Sequence, residues 1–485
     1  MKLLPLLSGY PDLTIHGTLP AEIQGFSADS RKIKQGYLYI CIRGEKENGH
    51  CYIQEAIKNG AIVIASEEKP VLKTVTVPVI IIENTRHFLS YFSDRFFGHP
   101  SQELHITGIT GTNGKTTTAH FLYEIYQAAS RKSALMGTVG VKTTKQYRKQ
   151  SLTTPDAEEL HKTLWQLKQE GVRHVAMEVS SHALVQKRVE HCFFHAAIFT
   201  NLSREHLDYH QNMHFYFQAK AHLLDLLKLS NGKAIINADD QHFRQLQQLT
   251  DSCVTYGIKN KADVRAENIQ KLPHGGSTVT INSPWGKFYL TVNLAGLYNV
   301  YNALAAAAAA LADQISIPEI ITGIDALKMV PGRLELLPSP PGVKVYLDYA
   351  HTPDGLEKLL QTISEYPHQK IILIFGCRGN RDRGKRPLMG LVAEKYADTI
   401  ILTADNPAYE DPAVIACDIA AYMRKKPFYF AERQEAIHFA LAIAKPGDIV
   451  LITGKGRESY QLIGSVALPY SDLQVVNSYV QSHYH

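Results

Sequence analysis

Gly108-Ile109-Thr110-Gly111-Thr112-Asn113-Gly114-Lys115-Thr116-Thr117 is the most informative feature of this chain. A short apolar run, Leu104 to Ile109, leads into it, and a helical pattern, Thr116 to Gln127, follows it. A phosphate cradle forms when a strand is followed by a glycine-rich turn and then by the first turn of a helix. The backbone N–H groups and the helix dipole attract an anion there. In such a cradle Lys115 reaches the terminal phosphates and Thr116 binds Mg²⁺. We therefore expect an ATP-dependent protein.

The strict phosphate-loop pattern is incomplete in this stretch. Ile109 stands where the pattern has its first glycine, so the Gly-Lys-Thr triplet alone would be weak evidence. A plain surface turn is the alternative interpretation. The strand before the turn and the helix after it favour the phosphate cradle.

Composition indicates a globular protein of several domains. The chain has 485 residues, of which 45% are hydrophobic and 20% are charged, and this length suits about three domains of typical size. The formal net charge is +5, and the basic residues form no run, so we expect no nucleic-acid partner. The six cysteines include no C-x-x-C pair, and no apolar stretch is long enough to span a membrane. These features predict a cytoplasmic protein without membrane insertion.

The spacing of apolar runs predicts an α/β protein of three domains. Residues 1–98 are predicted to form a small mixed α/β domain. Residues 99–331 are predicted to form a P-loop ATPase-like domain with a mostly parallel sheet, and residues 332–485 a Rossmann-like domain. The last domain lacks a G-x-G-x-x-G fingerprint after its first strand, so NAD is not inferred.

Individual elements follow from the same patterns. The predicted strands are Tyr37 to Ile42, Ala61 to Ala65, Val75 to Ile82, Leu104 to Ile109, His174 to Val179, Ala196 to Asn201, Ala234 to Asn237, Val343 to Asp348, Ile371 to Gly376, Thr399 to Thr403 and Ile449 to Thr453. The predicted helices are Ile53 to Asn59, Thr116 to Gln127, Ala157 to Gln169, Phe215 to Leu227, Leu356 to Glu365, Leu388 to Tyr396, Val414 to Met423 and Gln434 to Ala444. A hairpin is predicted around Ser283-Pro-Trp-Gly286, and Ala303 to Ala312 should be part of a buried helix that packs closely on a neighbour.

Polar residues follow the predicted strands, at the edge where open α/β sheets bind ligands. Glu178 ends one strand of the middle domain and is placed to bind Mg²⁺, and His206 follows the next strand. A histidine of this kind is more often a turn residue than a ligand, but its place after Glu178 in a nucleotide domain favours a ligand. Lys220 lies in a helical pattern, from which a solvated lysine is the expectation. In the last domain four successive strands end in polar or glycine-rich loops, which indicates a binding site.

These clusters together resemble the Mur ligase family over essentially the full length of the chain. The resemblance is greatest to the type that adds a diamino acid to UDP-N-acetylmuramoyl-L-alanyl-D-glutamate (UDP-MurNAc-L-Ala-D-Glu). The motifs that carry it are Asp29-Ser30-Arg31, Asn48-Gly49-His50, Thr110 to Thr116, Thr153-Thr154-Pro155-Asp156, Glu178 to His182, His206 to His210, Gly296 to Asn302, Gly332-Arg333-Leu334, Asp348 to Pro353 and Lys385-Arg386-Pro387.

The resemblance implies a reaction and a set of site residues. ATP phosphorylates the γ-carboxylate of D-glutamate, the amine of an amino acid attacks the acyl phosphate, and an amide, ADP and phosphate result. The implied ATP site consists of Gly111, Thr112, Asn113, Gly114, Lys115, Thr116, Thr117, Asn302, Arg333 and Asp348. The implied ligands of two Mg²⁺ ions are Thr116, Glu178, His206 and a CO₂-derived carbamate on Lys220; Lys115, Glu178, His206 and Lys220 are the implied catalytic residues.

The two other substrates have implied sites of their own, and a monomer is expected. The UDP-sugar-dipeptide site consists of Ser27, Asp29, Ser30, Thr153, Thr154, Ser180, Gln186 and Arg188. The amino-acid site consists of Arg381, Asp405, Asn406, Ala408, Gly454 and Glu458.

The amino-acid site departs from the family pattern. Members that use meso-2,6-diaminopimelate usually have an arginine, which binds the distal carboxylate, where this chain has Ala408. We therefore predict L-lysine, with Asp405 and Glu458 receiving its ε-ammonium. The alternative is meso-2,6-diaminopimelate, if Arg378 or Arg457 supplies the missing guanidinium.

Other functions remain open from the residues. A P-loop ATPase switch or binding module is an alternative of another class, although it would not need the polar loops of the last domain. Folylpolyglutamate synthesis is a further alternative, against which the uridine-module-like Asp29-Ser30-Arg31 argues. A relative recruited to a specialised peptide pathway is also compatible with the sequence.

Overall fold

The computed structural model describes residues 1–44, 47–68, 75–150, 152–273 and 275–484. The strands are β1 Thr14–His16, β2 Gly25–Ser27, β3 Tyr37–Ile40, β4 Ala61–Ser66, β5 Val79–Ile81, β6 His105–Thr110, β7 Ser133–Gly137, β8 Gly140–Thr143, β9 Tyr147–Arg148, β10 His174–Glu178, β11 Ala196–Phe199, β12 Lys233–Asn237, β13 Cys253–Gly257, β14 Val264–Lys271, β15 Ser277–Ser283, β16 Gly286–Val292, β17 Glu335–Leu337, β18 Lys344–Asp348, β19 Ile371–Phe375, β20 Thr399–Thr403, β21 Phe428–Phe430, β22 Ile449–Thr453, β23 Tyr460–Ile463 and β24 Val466–Pro469.

The helices alternate with most of these strands. They are α1 Leu3–Leu7, α2 Ile53–Lys58, α3 Thr85–Phe96, α4 Lys115–Ala128, α5 Ala157–Gln169, α6 Ser181–Val185, α7 Leu207–His210, α8 Met213–Lys228, α9 Phe243–Gln248, α10 Leu297–Ala312, α11 Ile317–Ala326, α12 Pro353–Ser364, α13 Arg386–Tyr396, α14 Pro412–Ala420, α15 Arg433–Ile443 and α16 Asp472–Tyr484. Within the described ranges, no helix has both the length and the apolar character that crossing a membrane requires.

The chain forms two compact units. The first unit contains Met1–Gly108, Arg131–Ala197 and Ala219–Lys233, and the second contains Ile109–Ser130, Ile198–Gln218 and Ala234–His485.

The first unit contains a five-stranded sheet of order β1-β5-β4-β3-β2, parallel except for β1. Its core includes Leu38, Val63 and Ile80, against which Phe88 and Phe92 of α3 pack. In the same unit β7 pairs parallel with β10 and antiparallel with β8. Strands β4 and β5 are largely buried and rich in isoleucine and valine, which suits a parallel sheet with covered faces.

The second unit contains the phosphate-loop helix α4, which packs on α10 and α11. The small side chains of α10 allow this: Ala303 to Ala310 are almost completely buried. A Cβ at Gly323 of α11 would lie 2.4 Å from Ile125 Cα of α4, so these two helices are also closely packed. Strands β12, β13 and β14 are parallel, and β15 and β16 form the predicted hairpin.

A six-stranded sheet of order β17-β18-β22-β19-β20-β21 forms the end of the second unit. The four strands β18, β22, β19 and β20 are mutually parallel, with apolar clusters on both faces. Their carboxyl ends therefore meet at one edge, and the polar loops after Asp348, Phe375, Thr403 and Thr453 lie together there.

The predicted α/β class with mostly parallel sheets is confirmed, and most predicted elements are present within a few residues. The helix predicted from Leu356 begins at Pro353, because the Thr352 side chain caps it and proline suits a first helical position. The strand predicted at Val75 to Ile82 shortens to β5. Strands β7 to β9 and the hairpin of β23 and β24 were not predicted, since their short runs lack a clear alternation.

Candidate active site

Two glycines give the phosphate loop its shape. Gly114 is the N-cap of α4 with φ of 90°, and Gly111 has φ of 141°. A Cβ at Gly111 would lie 1.9 Å from Thr200 Oγ1, and a Cβ at Gly114 would lie 2.3 Å from Asn302 Oδ1. Side chains are therefore excluded at both positions, which leaves the start of α4 open to an anion.

The loop is held by its own lysine and by the segment that follows β11. Lys115 Nζ donates to the carbonyl oxygens of Gly111 at 2.9 Å and Thr112 at 3.0 Å. The Asn113 N–H donates to Asn201 Oδ1 at 3.0 Å, and Asn201 Nδ2 returns a bond of 3.0 Å to the Asn113 carbonyl. These bonds fix the loop before any ligand binds, which lowers the entropic cost of binding phosphate.

Residues distant in sequence complete this nucleotide cradle within the second unit. Arg333 Nη2 donates to Thr116 Oγ1 at 3.0 Å, and Thr118 Oγ1 donates to Asn302 Oδ1 at 3.4 Å. Asp348 accepts the N–H groups of Leu334 at 2.6 Å and Ala350 at 2.7 Å, and its burial raises the pKa of its carboxyl. Thr116, Asn302 and Arg333 therefore lie close together. The hydrogen bonds that Asp348 accepts hold the backbone next to Arg333 in place.

A buried carboxylate that was not predicted lies beside His206. Glu205 Oε1 is 2.6 Å from His351 Nε2, and Glu205 Oε2 is 3.5 Å from His206 Nε2. Burial alone would raise the pKa of Glu205, but the two histidines outweigh it and hold that pKa well below its usual range. His351 lies in the motif Asp348 to Pro353 and Glu205 directly precedes the motif His206 to His210, yet only the fold shows that the two residues meet.

In the first unit Glu178 is completely buried at the end of β10. The Thr138 N–H donates to its Oε1 at 2.9 Å, and Thr138 Oγ1 donates to its Oε2 at 3.2 Å. A Cβ at Gly137 would lie 2.1 Å from Glu178 Oε1, so the carboxylate needs a glycine there. Thr138 was missed because β7, which leads to it, was not predicted.

Lys220 is also buried, with 4% of its surface exposed. The solvated lysine that the helical pattern favoured is therefore wrong. Of the predicted metal ligands, Glu178 and Lys220 belong to the first unit, and Thr116 and His206 belong to the second.

A cavity of about 700 Å³ lies in the first unit and is lined by three residues of the predicted UDP-sugar-dipeptide site. These three are Asp29, Gln186 and Arg188. Its other basic lining residues are Lys32, Arg86, Arg148 and Lys149. The five cations that line the cavity offer several contacts for anionic groups of a ligand, and four carboxylates balance most of their charge.

The remaining predicted residues of that site lie in hydrogen-bonded pairs. Ser27 Oγ donates to Glu158 Oε2 at 2.9 Å, and Ser30 Oγ donates to Glu55 Oε2 at 3.0 Å. Thr153 Oγ1 is 3.0 Å from Thr138 Oγ1. Thr154 Oγ1 is 3.0 Å from the Ser180 N–H, which donates to it, and Arg188 Nη1 donates to the Thr154 carbonyl at 2.8 Å.

Four charged and two polar residues converge at the carboxyl edge of the six-stranded sheet, and we call them the amino-acid cluster: Tyr349, Arg378, Asp405, Asn406, Lys455 and Glu458. Asn406 Nδ2 donates to Glu458 Oε2 at 3.0 Å, and Lys455 Nζ donates to Asn406 Oδ1 at 2.9 Å. Arg378 pairs with Glu458. Burial would raise the pKa of Glu458, but Arg378 and Lys455 outweigh it and lower that pKa.

The other predicted amino-acid residues have different surroundings. Gly454 has φ of 105°, and a Cβ there would lie 3.0 Å from Asp405 Oδ2. Arg381 Nη1 lies 3.3 Å from Asp208 Oδ2 and is half exposed. Ala408 has φ of 51°, with its N–H bonded to the Leu462 carbonyl at 3.0 Å.

The predicted preference for L-lysine is not supported. It required Asp405 and Glu458 to be available for an ammonium group. Lys455 lies 3.7 Å from Asp405 and 3.2 Å from Glu458, and Arg378 contacts both carboxylates as well. Arg378 therefore reaches the cluster, whereas Arg457 donates to Glu335 Oε2 at 2.7 Å instead.

Comparison with known proteins gives consistent matches along the chain. Models of the Mur ligase family catalytic domain, the Mur ligase middle domain and the Mur ligase glutamate ligase domain match residues 22–97, 109–310 and 332–456. A UDP-N-acetylmuramoyl-L-alanyl-D-glutamate–2,6-diaminopimelate ligase from Geobacillus thermodenitrificans is 39% identical over 490 residues, covering 99% of each chain. An enzyme of the same name from Bacillus cereus is 41% identical, covering 98% of this chain and 97% of its own. A solved structure with that name is 31% identical, with a TM-score of 0.65 and 96% of both chains covered.

Proposed function

This chain belongs to the Mur ligase family, and from that premise we propose that it is the ATP-dependent ligase that joins 2,6-diaminopimelate to UDP-MurNAc-L-Ala-D-Glu in peptidoglycan synthesis. The observation that carries the proposal is the identity of 39% and 41% with two enzymes of that name, over at least 97% of each chain. The reaction forms a C–N bond and converts ATP to ADP and phosphate. The neutralised carboxylates of the amino-acid cluster support diaminopimelate over L-lysine.

The nucleotide cradle supports the first half of this reaction. The γ-carboxylate of D-glutamate attacks the γ-phosphorus of ATP, and the bond to the β-phosphate oxygen breaks. Negative charge on the phosphoryl oxygens must be stabilised as that bond breaks. Lys115, at the start of α4, and Arg333, bonded to Thr116 Oγ1, supply positive charge at this position.

The amide then forms at the acyl phosphate. The amine of the amino acid attacks the carbonyl carbon, and the tetrahedral intermediate expels phosphate. Both substrates are anionic, so cations have to bring them together before the first bond forms. The cavity of the first unit suits the diphosphate and carboxylates of the UDP-sugar-dipeptide, and Asp29, Gln186 and Arg188 line it.

We assign Mg²⁺ to the residues that the family resemblance implies. Carboxylate and hydroxyl oxygens suit this ion, and the buried Glu178 carboxylate, oriented by Thr138, fits a ligand role. Thr116, His206 and a carbamate on Lys220 would complete two sites. Burial favours the neutral amine of a lysine, which is the form that reacts with CO₂. When bound, Mg²⁺ would screen the repulsion between the phosphates and the carboxylate.

The division into domains at residues 1–98, 99–331 and 332–485, a cytoplasmic location and a monomeric state complete the proposal. Their support is the family resemblance and the composition of the chain.

The deciding experiment supplies the purified protein with UDP-MurNAc-L-Ala-D-Glu, ATP and a panel of amino acids, and measures product masses. We expect the diaminopimelate adduct and one ADP per amide. An ATPase switch would instead hydrolyse ATP without the UDP-sugar or the amino acid, and that result would reject the ligase.

A further inference from the structure

Arg378 keeps part of its hydrogen-bonding capacity open, although it lies within the amino-acid cluster. Its Nη2 donates to Tyr349 Oη at 3.0 Å and contacts Glu458, and its Nε lies 3.9 Å from Asp405 Oδ2. Among the residues that the structure describes, its Nη1 has no hydrogen-bond partner, and 24% of the side chain is exposed. The open Nη1 carries N–H donors on a delocalised positive charge, which suits a carboxylate oxygen.

The neighbouring cations are committed to other partners. Lys455 is fully buried, and its Nζ bonds Asn406 and Glu458. Arg457 is paired with Glu335, and Arg386 is fully buried between Glu410 and Asp418. Of the two cations in the amino-acid cluster, Arg378 is therefore the one that combines exposure with a donor unused by the described residues, since Lys455 is fully buried.

We propose that Arg378 binds the distal carboxylate of the amino-acid substrate and so selects 2,6-diaminopimelate over L-lysine. This inference rests on the proposed function. The two amino acids differ by that carboxylate alone, since L-lysine has hydrogen in its place. Ala408 offers a methyl group there, and its N–H is used by the Leu462 carbonyl.

The charge balance of the cluster leads to the same selection. Arg378 and Lys455 neutralise Asp405 and Glu458 within this buried set. The distal end of diaminopimelate carries an ammonium and a carboxylate, so it adds no net charge. The distal end of L-lysine adds an unpaired positive charge, which is costly where water is excluded.

The test measures kcat/KM for meso-2,6-diaminopimelate and L-lysine in the wild-type enzyme and in Arg378→Gln. We expect the wild type to prefer diaminopimelate, and Arg378→Gln to lose about 100-fold in kcat/KM for it, in the range found when one partner of a buried charge pair is removed. The loss should lie mainly in KM, because the distal carboxylate is remote from the reacting amine. L-Lysine should improve in the same variant, since Asp405 and Glu458 then lack one of their two positively charged partners. Opposite changes for two substrates exclude a general folding defect.

Two further variants complete the design. Arg383→Gln removes the same charge from the same loop, but its exposed side chain pairs with Glu410, so the substrate ratio should not change. Arg378→Lys keeps the positive charge but lacks the guanidinium, so its ratio of kcat/KM for the two amino acids should lie between those of the wild type and Arg378→Gln. This variant also tests the proposal if Arg378→Gln does not fold.

The outcomes separate the two proposals. A wild type that makes the diaminopimelate product, with the same substrate ratio in both Arg378 variants, overturns the role of Arg378 and leaves the function intact. A wild type that prefers L-lysine also overturns it. Absence of product with either amino acid rejects the proposed function itself.

Discussion

Replacement of Gly137 by alanine should disable the active site through a single carboxylate. The added Cβ would lie 2.1 Å from Glu178 Oε1 and 2.6 Å from its Cδ. Carbon and oxygen atoms need more than about 3 Å, so the carboxylate has to move by about 1 Å. That shift breaks its bonds to Thr138 N–H and Oγ1 at 2.9 and 3.2 Å.

The expected magnitude follows from this displacement. A misplacement of about 1 Å at a catalytic group costs about 100-fold in rate. Each hydrogen bond to a charged group contributes about 1.5–3 kcal/mol, so part of the cost should also be visible in stability. Because Glu178 is proposed to bind Mg²⁺, the Mg²⁺ concentration for half-maximal rate should rise. Thr138→Val removes only the hydroxyl bond and should give a smaller effect in the same direction.

The assay is the rate of amide formation as a function of Mg²⁺ concentration, with the other substrates saturating. Gly257→Ala is the control, because the backbone of Gly257 is not left-handed and its new methyl would come no closer than 3.3 Å to Asp239 Oδ2. Thermal unfolding of both variants separates loss of fold from loss of function. A folded Gly137→Ala enzyme with unchanged rate and Mg²⁺ dependence would refute the link between Glu178 and the metal.

Three other predictions follow from the structure. Lys115→Ala should fold but lose at least about 100-fold in kcat, because a contact that stabilises charge in the transition state contributes about 2.7–4 kcal/mol. Near-normal turnover of the folded variant would contradict a role of Lys115 in binding phosphate. Stripping CO₂ should lower activity and bicarbonate should restore it, while Lys220→Ala should stay inactive under both conditions; wild-type activity that responds neither to the removal of CO₂ nor to bicarbonate would contradict the carbamate. Arg433→Met should lower the free energy of unfolding by about 3–5 kcal/mol, because it leaves the fully buried Asp472 unpaired, and Arg433→Met/Asp472→Leu should regain most of the loss in denaturant titrations.

The phosphate loop could be predicted from sequence because its parts are consecutive. Gly111, Gly114 and Lys115 act through backbone geometry that a strand, a turn and a helix create locally. The four polar loops of the last domain could likewise be predicted to share an edge, since parallel strands point the same way. In both cases the site is formed by residues that are consecutive in the chain or that directly follow parallel strands, and both features can be recognised in the sequence.

Contacts between distant residues could not be predicted in this way. Glu205 and His351 are 146 positions apart, and their bond depends on how two loops approach in three dimensions. Thr138 orients Glu178 from a strand whose short apolar run gave no clear period. Neither pair has a spacing in the sequence that distinguishes it from unrelated polar residues.

The error over the amino-acid substrate has the same physical origin. From sequence, Asp405 and Glu458 were each treated as a free carboxylate, and Ala408 as the loss of a guanidinium. In the fold, Lys455 and Arg378 already lie within ion-pair distance of both carboxylates: Lys455 is 3.7 Å from Asp405, and Arg378 pairs with Glu458. Which amino acid such a cluster binds depends on the net charge of the cluster and on which hydrogen-bond donor is still unpaired. That donor is on Arg378, and we propose that it supplies the guanidinium that is absent at position 408, from a different strand end of the same sheet.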